Sequence, residues 1–201
     1  GSPNPSTSYF CVMDAEGNAV SFIHSLSMYY GCGFVAGNTG ILLNDRTARG
    51  FYLDEGHVNV IAPGKRTINT IHNYMVTQNG KLVIVGGTPG GDNQTQSMLQ
   101  ILINHLVFDM GIQDAIEAPR FMTHSQPDSF EPHKAFPGKL TVEGRIDQKT
   151  TDALSALGHD VERLADMTYK TAGVCAITKD LETGILEGGA DPRRMSRAMG
   201  W

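Results

Sequence analysis

The sequence predicts an α+β protein whose sheets are mainly antiparallel, with helices layered on their outside. Two hairpin patterns and one strand-to-helix passage carry that expectation. Residues 8–13 and 19–25 are short apolar or alternating runs joined by Glu16-Gly17-Asn18, and residues 73–78 and 81–85 repeat the pattern around Asn79-Gly80. An Asn-Gly pair between such runs is a strong hairpin signal, because both residues tolerate the positive φ that the turn demands. The passage is Leu82-Val83-Ile84-Val85, then Gly86-Gly87-Thr88-Pro89-Gly90-Gly91, then apolar residues at helical spacing: Met98, Leu99, Ile101, Leu102, Leu106 and Val107.

The remaining elements follow in chain order. Residues 1–6 (Gly-Ser-Pro-Asn-Pro-Ser) read as a linker ahead of the first hairpin. Glycines punctuate residues 31–40, which lead into Ile41-Leu42-Leu43, and residues 44–63 are polar and irregular. After the second hairpin comes a helix over 92–109, with Asp92 placed as its N-cap. A short helix is expected at 112–117, a proline-rich loop at 127–138, and a helix over 147–157 stopped by Gly158. Strands at 159–163, 173–178 and 184–187 finish the chain. The length of 201 residues, without repeats or low-complexity tracts, is that of one domain or most of one.

Composition narrows the function. Apolar residues make up 40%, enough for a buried core, and the net charge of −5 with no basic run argues against nucleic-acid binding. No apolar stretch reaches the length of a membrane span; the best run, 101–110, is interrupted by Asn104, His105 and Asp109. Seven scattered histidines and three cysteines have no metal-ligand spacing, so neither a metal nor a cofactor is expected. Cys11 and Cys175 read as small core residues. A reducing, cytoplasmic setting is the first expectation, with a periplasmic or secreted one open.

Two segments carry chemistry. Thr7 stands at the start of the first strand. A threonine whose preceding peptide bond is broken holds a nucleophile, Oγ1, and a base, its own amine, in one residue. A free α-amine titrates near ~8, so a useful fraction is neutral at cellular pH. By position alone, most threonines at strand starts are structural, and that reading stands beside the catalytic one. The glycines at 90 and 91 let backbone N–H groups face open space beside a helix N-terminus, which suits a developing oxyanion. The same loop could be only a tight turn, and the Lys-Ser/Thr of a phosphate loop is absent.

Taken together with four further stretches, these segments resemble the small subunit of the γ-glutamyltransferase family, within the N-terminal-nucleophile hydrolases. The stretches occur in family order: residues 14–21, 33–44, Ala62-Pro63-Gly64-Lys65-Arg66, Gly87-Thr88-Pro89-Gly90-Gly91, Glu117-Ala118-Pro119-Arg120-Phe121 and Ala190-Asp191-Pro192-Arg193. The resemblance implies a four-layer αββα sandwich, part of it supplied by a larger subunit cut from the same precursor. It implies self-cleavage before Thr7, so that residues 1–6 are the larger subunit's tail and 7–201 the small subunit. It implies an acyl-enzyme on Thr7, an oxyanion held by Gly90 and Gly91, and a supporting hydroxyl at Ser25. The substrate would be a small amide, and a higher oligomer stays open.

The substrate positions depart from the family pattern. Ser27 falls where the family has asparagine. Arg46 and Arg49 fall where it has a glutamine and an aspartate that holds the glutamyl ammonium. Asn69 and Thr70 replace two serines that bind the substrate carboxylate. An arginine binds a carboxylate and repels an ammonium. Two substrate readings therefore stand: a γ-glutamyl amide, or a glutaryl- or oxamate-like amide with a carboxylate and no ammonium. A third reading, of another class, is an uncleaved precursor or non-catalytic scaffold. Ser25 and Ser27, two apart on one strand, are expected on one face, and both could simply be solvent-facing, as the two arginines could. Asp191-Pro192-Arg193 reads as a structural ion-pair corner.

Overall fold

β1 (Pro5–Met13) and β2 (Ala19–Met28) form an antiparallel hairpin. Its turn is closed by Asp14, whose carboxylate accepts from the Asn18 backbone N–H and side-chain amide, both at 2.8 Å. The computed structural model describes residues 5–130 and 132–201, with side chains from residue 7 onward. Residues 1–4 of the expected linker lie outside them, whereas Pro5 and Ser6 are already strand. A register shift falls between Ser6 and Thr7: Ser6 pairs with Ser27, but Thr7 pairs with Ser25.

The second sheet has the order β3-β4-β8-β9, all antiparallel: β3 (Asn73–Gln78), β4 (Lys81–Gly87), β8 (Cys175–Lys179) and β9 (Leu186–Ala190). The β1–β2 hairpin lies against it, with the Tyr9 ring over Gly87, a position where any Cβ would collide with the ring. Its other face is open, and Phe10, Val12, Val20 and Phe22 are each about half exposed there, with the two phenyl rings stacked at 5.1 Å. On the far side of the four-stranded sheet lie helices α2 (Asn93–Leu106) and α3 (Ile112–Glu117). Ile101, Ile112, Ala115 and Ile116 from these helices and Val174 and Ala176 from the sheet side form the core. Helix, sheet and sheet are thus stacked in order, three of the four expected layers.

Several elements were not anticipated. A one-turn helix α1 (Arg46–Gly50) interrupts the irregular 44–63 segment. The expected strand at 159–163 and helix over 147–157 appear as β7 (Asp160–Leu164) and α4 (Gln148–Ala156), but they belong to a side sheet completed by two strands that were not expected, β5 (Phe121–Thr123) and β6 (Lys139–Glu143). The β6–β7 pair is parallel, an exception to the antiparallel expectation. It is parallel because α4 serves as a crossover between the two strands. Among the described residues no helix is long and apolar enough to cross a membrane.

The Asp191 corner is the buried electrostatic centre. Arg120 reaches Asp191 at 2.6 Å, and Arg193 reaches Glu143 at 2.6 Å and Asp191 at 3.2 Å, all from buried side chains. The two guanidinium groups also donate to the carbonyls of Ile116, Ala118 and Thr171. The cluster therefore ties the C-terminus of α3 to the end of β6 and to the segment after β9. Burying four charges is tolerable only because each is paired and hydrogen-bonded.

Candidate active site

Thr7 Oγ1 lies 2.8 Å from Ser25 Oγ across the β1–β2 hairpin. The contact follows from the register, since Thr7 and Ser25 are directly opposed Cα partners. Ser25 Oγ also accepts from the Ser27 N–H at 3.0 Å. The expectation that Ser25 and Ser27 share a strand face is not met. The register shift leaves Leu26 without an opposite residue, and Ser27 has φ +74 where an extended strand residue would be negative. Two-residue alternation does not survive such a bulge. Ser27 is buried, and its Oγ has no hydrogen-bond partner among the described residues.

The glycine loop joins the site from the second sheet. β1 and β4 run in opposite directions: the hairpin tips at Glu16-Gly17 and Gly80-Lys81 line one cleft, and Tyr9 sits over Gly87. Continuing β1 two residues past Tyr9 brings Thr7 toward the loop that leaves β4 at Gly87. In that loop Gly90 has φ +144 and Gly91 φ +59, regions that side-chain-bearing residues rarely enter. Their carbonyls accept from Asn93 and Gln94, both at 3.2 Å, at the entry to α2. Neither glycine N–H has an acceptor among the described residues. Two unspent donors at a helix N-terminus are what an oxyanion requires.

Residues distant in sequence hold the loop. Thr88 Oγ1 accepts from the Gly173 N–H at 2.9 Å. A Cβ on Gly90 would come within 2.8 Å of the Cβ of Ala172, itself at φ +74. Asp92 does not cap α2 as expected: its side chain makes no cap hydrogen bond, and its Oδ2 accepts from the Ser129 N–H at 2.9 Å and the Ser129 hydroxyl at 3.0 Å. The carboxylate is thus spent on fastening the 127–138 loop to the glycine loop. Burial raises the neighbouring Asp128 carboxyl above its usual range, and a hydrogen bond with Asp92 adds to this, against the opposing Phe130 N–H.

Both arginines reach this region, from α1. Arg46 Nη1 donates to Thr70 Oγ1 at 2.9 Å, and its Nη2 to Ser25 Oγ at 3.3 Å. Arg49 lays its guanidinium 3.2 Å from the centre of the Phe130 ring, whose edge lies against Gly91. Neither arginine has an ion-pair partner among the described residues, and Arg49 Nη1 is buried without a hydrogen bond. Burial pushes both guanidinium groups down, with the more distant carboxylates of Asp45 and Asp92 opposing it; an arginine keeps its charge regardless. Thr70 is buried against Arg46, whereas Asn69 is exposed and its Oδ1 accepts from the Ile71 N–H at 3.1 Å. Of the expected pair, Thr70 reaches the hydroxyl cluster and Asn69 closes a local turn.

Thr7, Ser25, Arg46 and Thr70 therefore form one connected chain of polar contacts, and Arg49 on the same helical turn reaches the Phe130 ring that borders the glycine loop. Phe130, Ser129, Ala172 and Gly173 escaped the sequence reading, since they come from loops with no local chemical signature. An α+β sandwich carrying a strand-borne threonine paired with a hydroxyl and a glycine loop at a helix entry has the architecture of an N-terminal-nucleophile hydrolase. The chain belongs to the Gamma-glutamyltranspeptidase family, whose model matches residues 2–201. It is 42% identical over 195 residues to the Glutathione hydrolase-like YwrD proenzyme of Bacillus subtilis (strain 168), covering 96% of this chain and 35% of that protein. It is 34% identical over 198 residues to the Oxamate amidohydrolase proenzyme of Klebsiella pneumoniae, covering 97% of this chain and 35% of that protein. The crystal structure of cephalosporin acylase from Bacillus halodurans superposes with a TM-score of 0.83 at 32% identity, over 96% of this chain and 34% of that one. The chain thus spans about a third of the length of these relatives.

Proposed function

We propose that this chain is the small-subunit part of an amide hydrolase or acyltransferase whose nucleophile is Thr7. The Thr7–Ser25 contact of 2.8 Å carries the reading, and the two unspent glycine N–H groups in the loop after β4 support it. The proenzyme names of two relatives support processing of a precursor, which this reading places at the Ser6–Thr7 bond. In the structure Thr7 is internal, with Pro5 and Ser6 ahead of it in β1. Once that bond is cut, the Thr7 amine takes the proton of Oγ1 as the oxygen attacks the amide carbonyl. The Gly90 and Gly91 N–H groups hold the oxyanion. The amine returns the proton to the leaving nitrogen as the C–N bond breaks. Water, or an acceptor amine, then attacks the ester and releases the acyl group.

The acyl group is read as one with a carboxylate and no ammonium. Arg46 is tied to Ser25, so an unpaired cation sits one hydroxyl from the nucleophile. A glutamyl ammonium in that place would face like charge in a partly desolvated site. The larger subunit of the same precursor is the proposed partner, and the open aromatic face of β1–β2 is apolar surface that such a partner would cover.

The test of the reaction uses the full-length precursor. Thr7→Ala should block both chain cleavage and amide hydrolysis, whereas Thr7→Ser should keep a measurable part of each. Full hydrolytic activity in Thr7→Ala would remove Thr7 from the mechanism.

A further inference from the structure

The direction of a backbone N–H is set by the peptide plane that carries it. A trans peptide is flat, and its C=O and N–H point opposite ways. Fixing the Pro89 carbonyl therefore fixes the Gly90 N–H, and fixing the Gly90 carbonyl fixes the Gly91 N–H. The second plane is anchored by backbone, since the Gly90 carbonyl accepts from the Asn93 N–H at 3.2 Å at the entry to α2. The first is anchored by a side chain: Thr88 Oγ1 donates to the Pro89 carbonyl at 2.6 Å. The proline ring fixes only its own φ. The plane still turns about ψ of Pro89 and φ of Gly90, and a glycine at φ +144 leaves that second angle free.

The second partner of the hydroxyl directs its proton. Thr88 Oγ1 accepts from the Gly173 N–H at 2.9 Å. A hydroxyl has a single proton, and an N–H donor facing the oxygen leaves that proton for the Pro89 carbonyl. Thr88 is fully buried, so water does not compete for either bond. Gly173 is itself held from both sides. The Val174 N–H donates to Asp191 Oδ2 at 2.9 Å, and the Thr171 carbonyl accepts from Arg120 at 2.8 Å and from the Ser97 hydroxyl at 3.0 Å. The buried charge cluster thus fixes the segment that orients Thr88, and Thr88 passes that orientation to the loop. Among the described residues nothing else donates to the Pro89 carbonyl.

We infer that Thr88 is a positioning residue: its hydroxyl holds the Pro89–Gly90 peptide so that the Gly90 N–H faces away from the packed side of the loop and stays free for an oxyanion. The inference rests on the proposed Thr7 chemistry with Gly90 as a donor. Its test uses the processed two-chain enzyme, with turnover normalised to the amount of chain that begins at Thr7. The substrate is the p-nitroanilide, glutaryl or γ-glutamyl, that the wild type cleaves faster. Acylation and deacylation both pass through an oxyanion, so kcat reads the donor whichever step limits it. Thr88→Val keeps the side-chain shape and removes the hydroxyl; kcat should fall about 10–100-fold, with KM within about threefold of wild type. Thr88→Ser restores the hydroxyl and should bring kcat back to within about threefold of wild type. Ser97→Ala removes a buried hydroxyl from the same support without touching the peptide plane. It should lower the melting temperature and leave kcat near that of the wild type. Should Thr88→Val not fold, Thr88→Ala carries the same expectation. Unchanged kcat in Thr88→Val, a loss that Thr88→Ser does not recover, or an equal loss in Ser97→Ala would overturn the inference while the Thr7 reading stands. Turnover that survives Thr7→Ala would instead remove the reaction on which both rest.

Discussion

Arg46 and Arg49 place two cations in one helical turn, close to the Thr7–Ser25 pair and to the glycine loop. Both stand on the five-residue α1, three apart, so both project from the same side of the turn. One meets the Thr7–Ser25 pair and the other the ring that borders Gly91. The substitution pattern was legible in the sequence because charge type alone separates a site for ammonium from one for carboxylate. The contacts were not, since Thr70 and Phe130 lie 24 and 81 residues from the arginines they meet. The double change Arg46→Gln, Arg49→Asp should move preference toward γ-glutamyl amides, by about tenfold or more in the ratio of kcat/KM for γ-glutamyl against glutaryl substrates. No change in that ratio would mean that neither arginine touches the acyl group.

At the scale of elements, the strand–loop–helix passage through Gly90 and Gly91 was read from composition, and the structure gives its reason. Positive φ at both positions frees their N–H groups, and the space at Gly90 is taken by Ala172. What the sequence hid was the support: Gly173 bonded to Thr88, and Ser129 bonded to Asp92. A side chain that looks like an N-cap can be taken by a distant loop, and spacing along the chain carries no sign of it. Gly90→Val and Gly91→Val should each lower kcat by about 10²–10³, the usual effect of losing an oxyanion donor, with chain cleavage largely retained. Normal turnover in both variants would reduce the loop to a turn. The same limit applies to β2, where alternation held from Ala19 to Ser25 and failed at the Ser27 bulge.

At the scale of the whole molecule, the hairpins and α2 were readable because their periodicities are long enough to be distinctive. Of the side sheet, β7 and its backing helix α4 were read, but β5 and β6 were not, because β5 has three residues and the β6–β7 pairing depends on a crossover. The Asp191 corner was recognised as structural, and its partners Arg120 and Glu143 extend it into a cluster that spans the sheet's edge. Burial raises the Glu143 carboxyl, but hydrogen bonds from Arg193 and Thr171 outweigh it and hold it at about 2, against 4.5 for a free glutamate. A carboxylate depressed in the folded state stabilises the fold above the unfolded value, and that contribution disappears as pH falls. Melting temperature should therefore be insensitive to this group above pH 4.5 and fall between 4.5 and about 2. Glu143→Gln should weaken that acid limb, and, by stranding Arg193, cost about 3–5 kcal/mol at neutral pH. A wild-type acid limb in the variant would detach Glu143 from it.

The account turns on Thr7 becoming a chain terminus. Mass spectrometry of the purified full-length protein, reading the intact mass and first residue of the small chain, tests this most directly. The expected result is a fragment that begins at Thr7 and carries a free amine. An uncut precursor that nonetheless hydrolyses amides, or a mature chain beginning at any other residue, would contradict it.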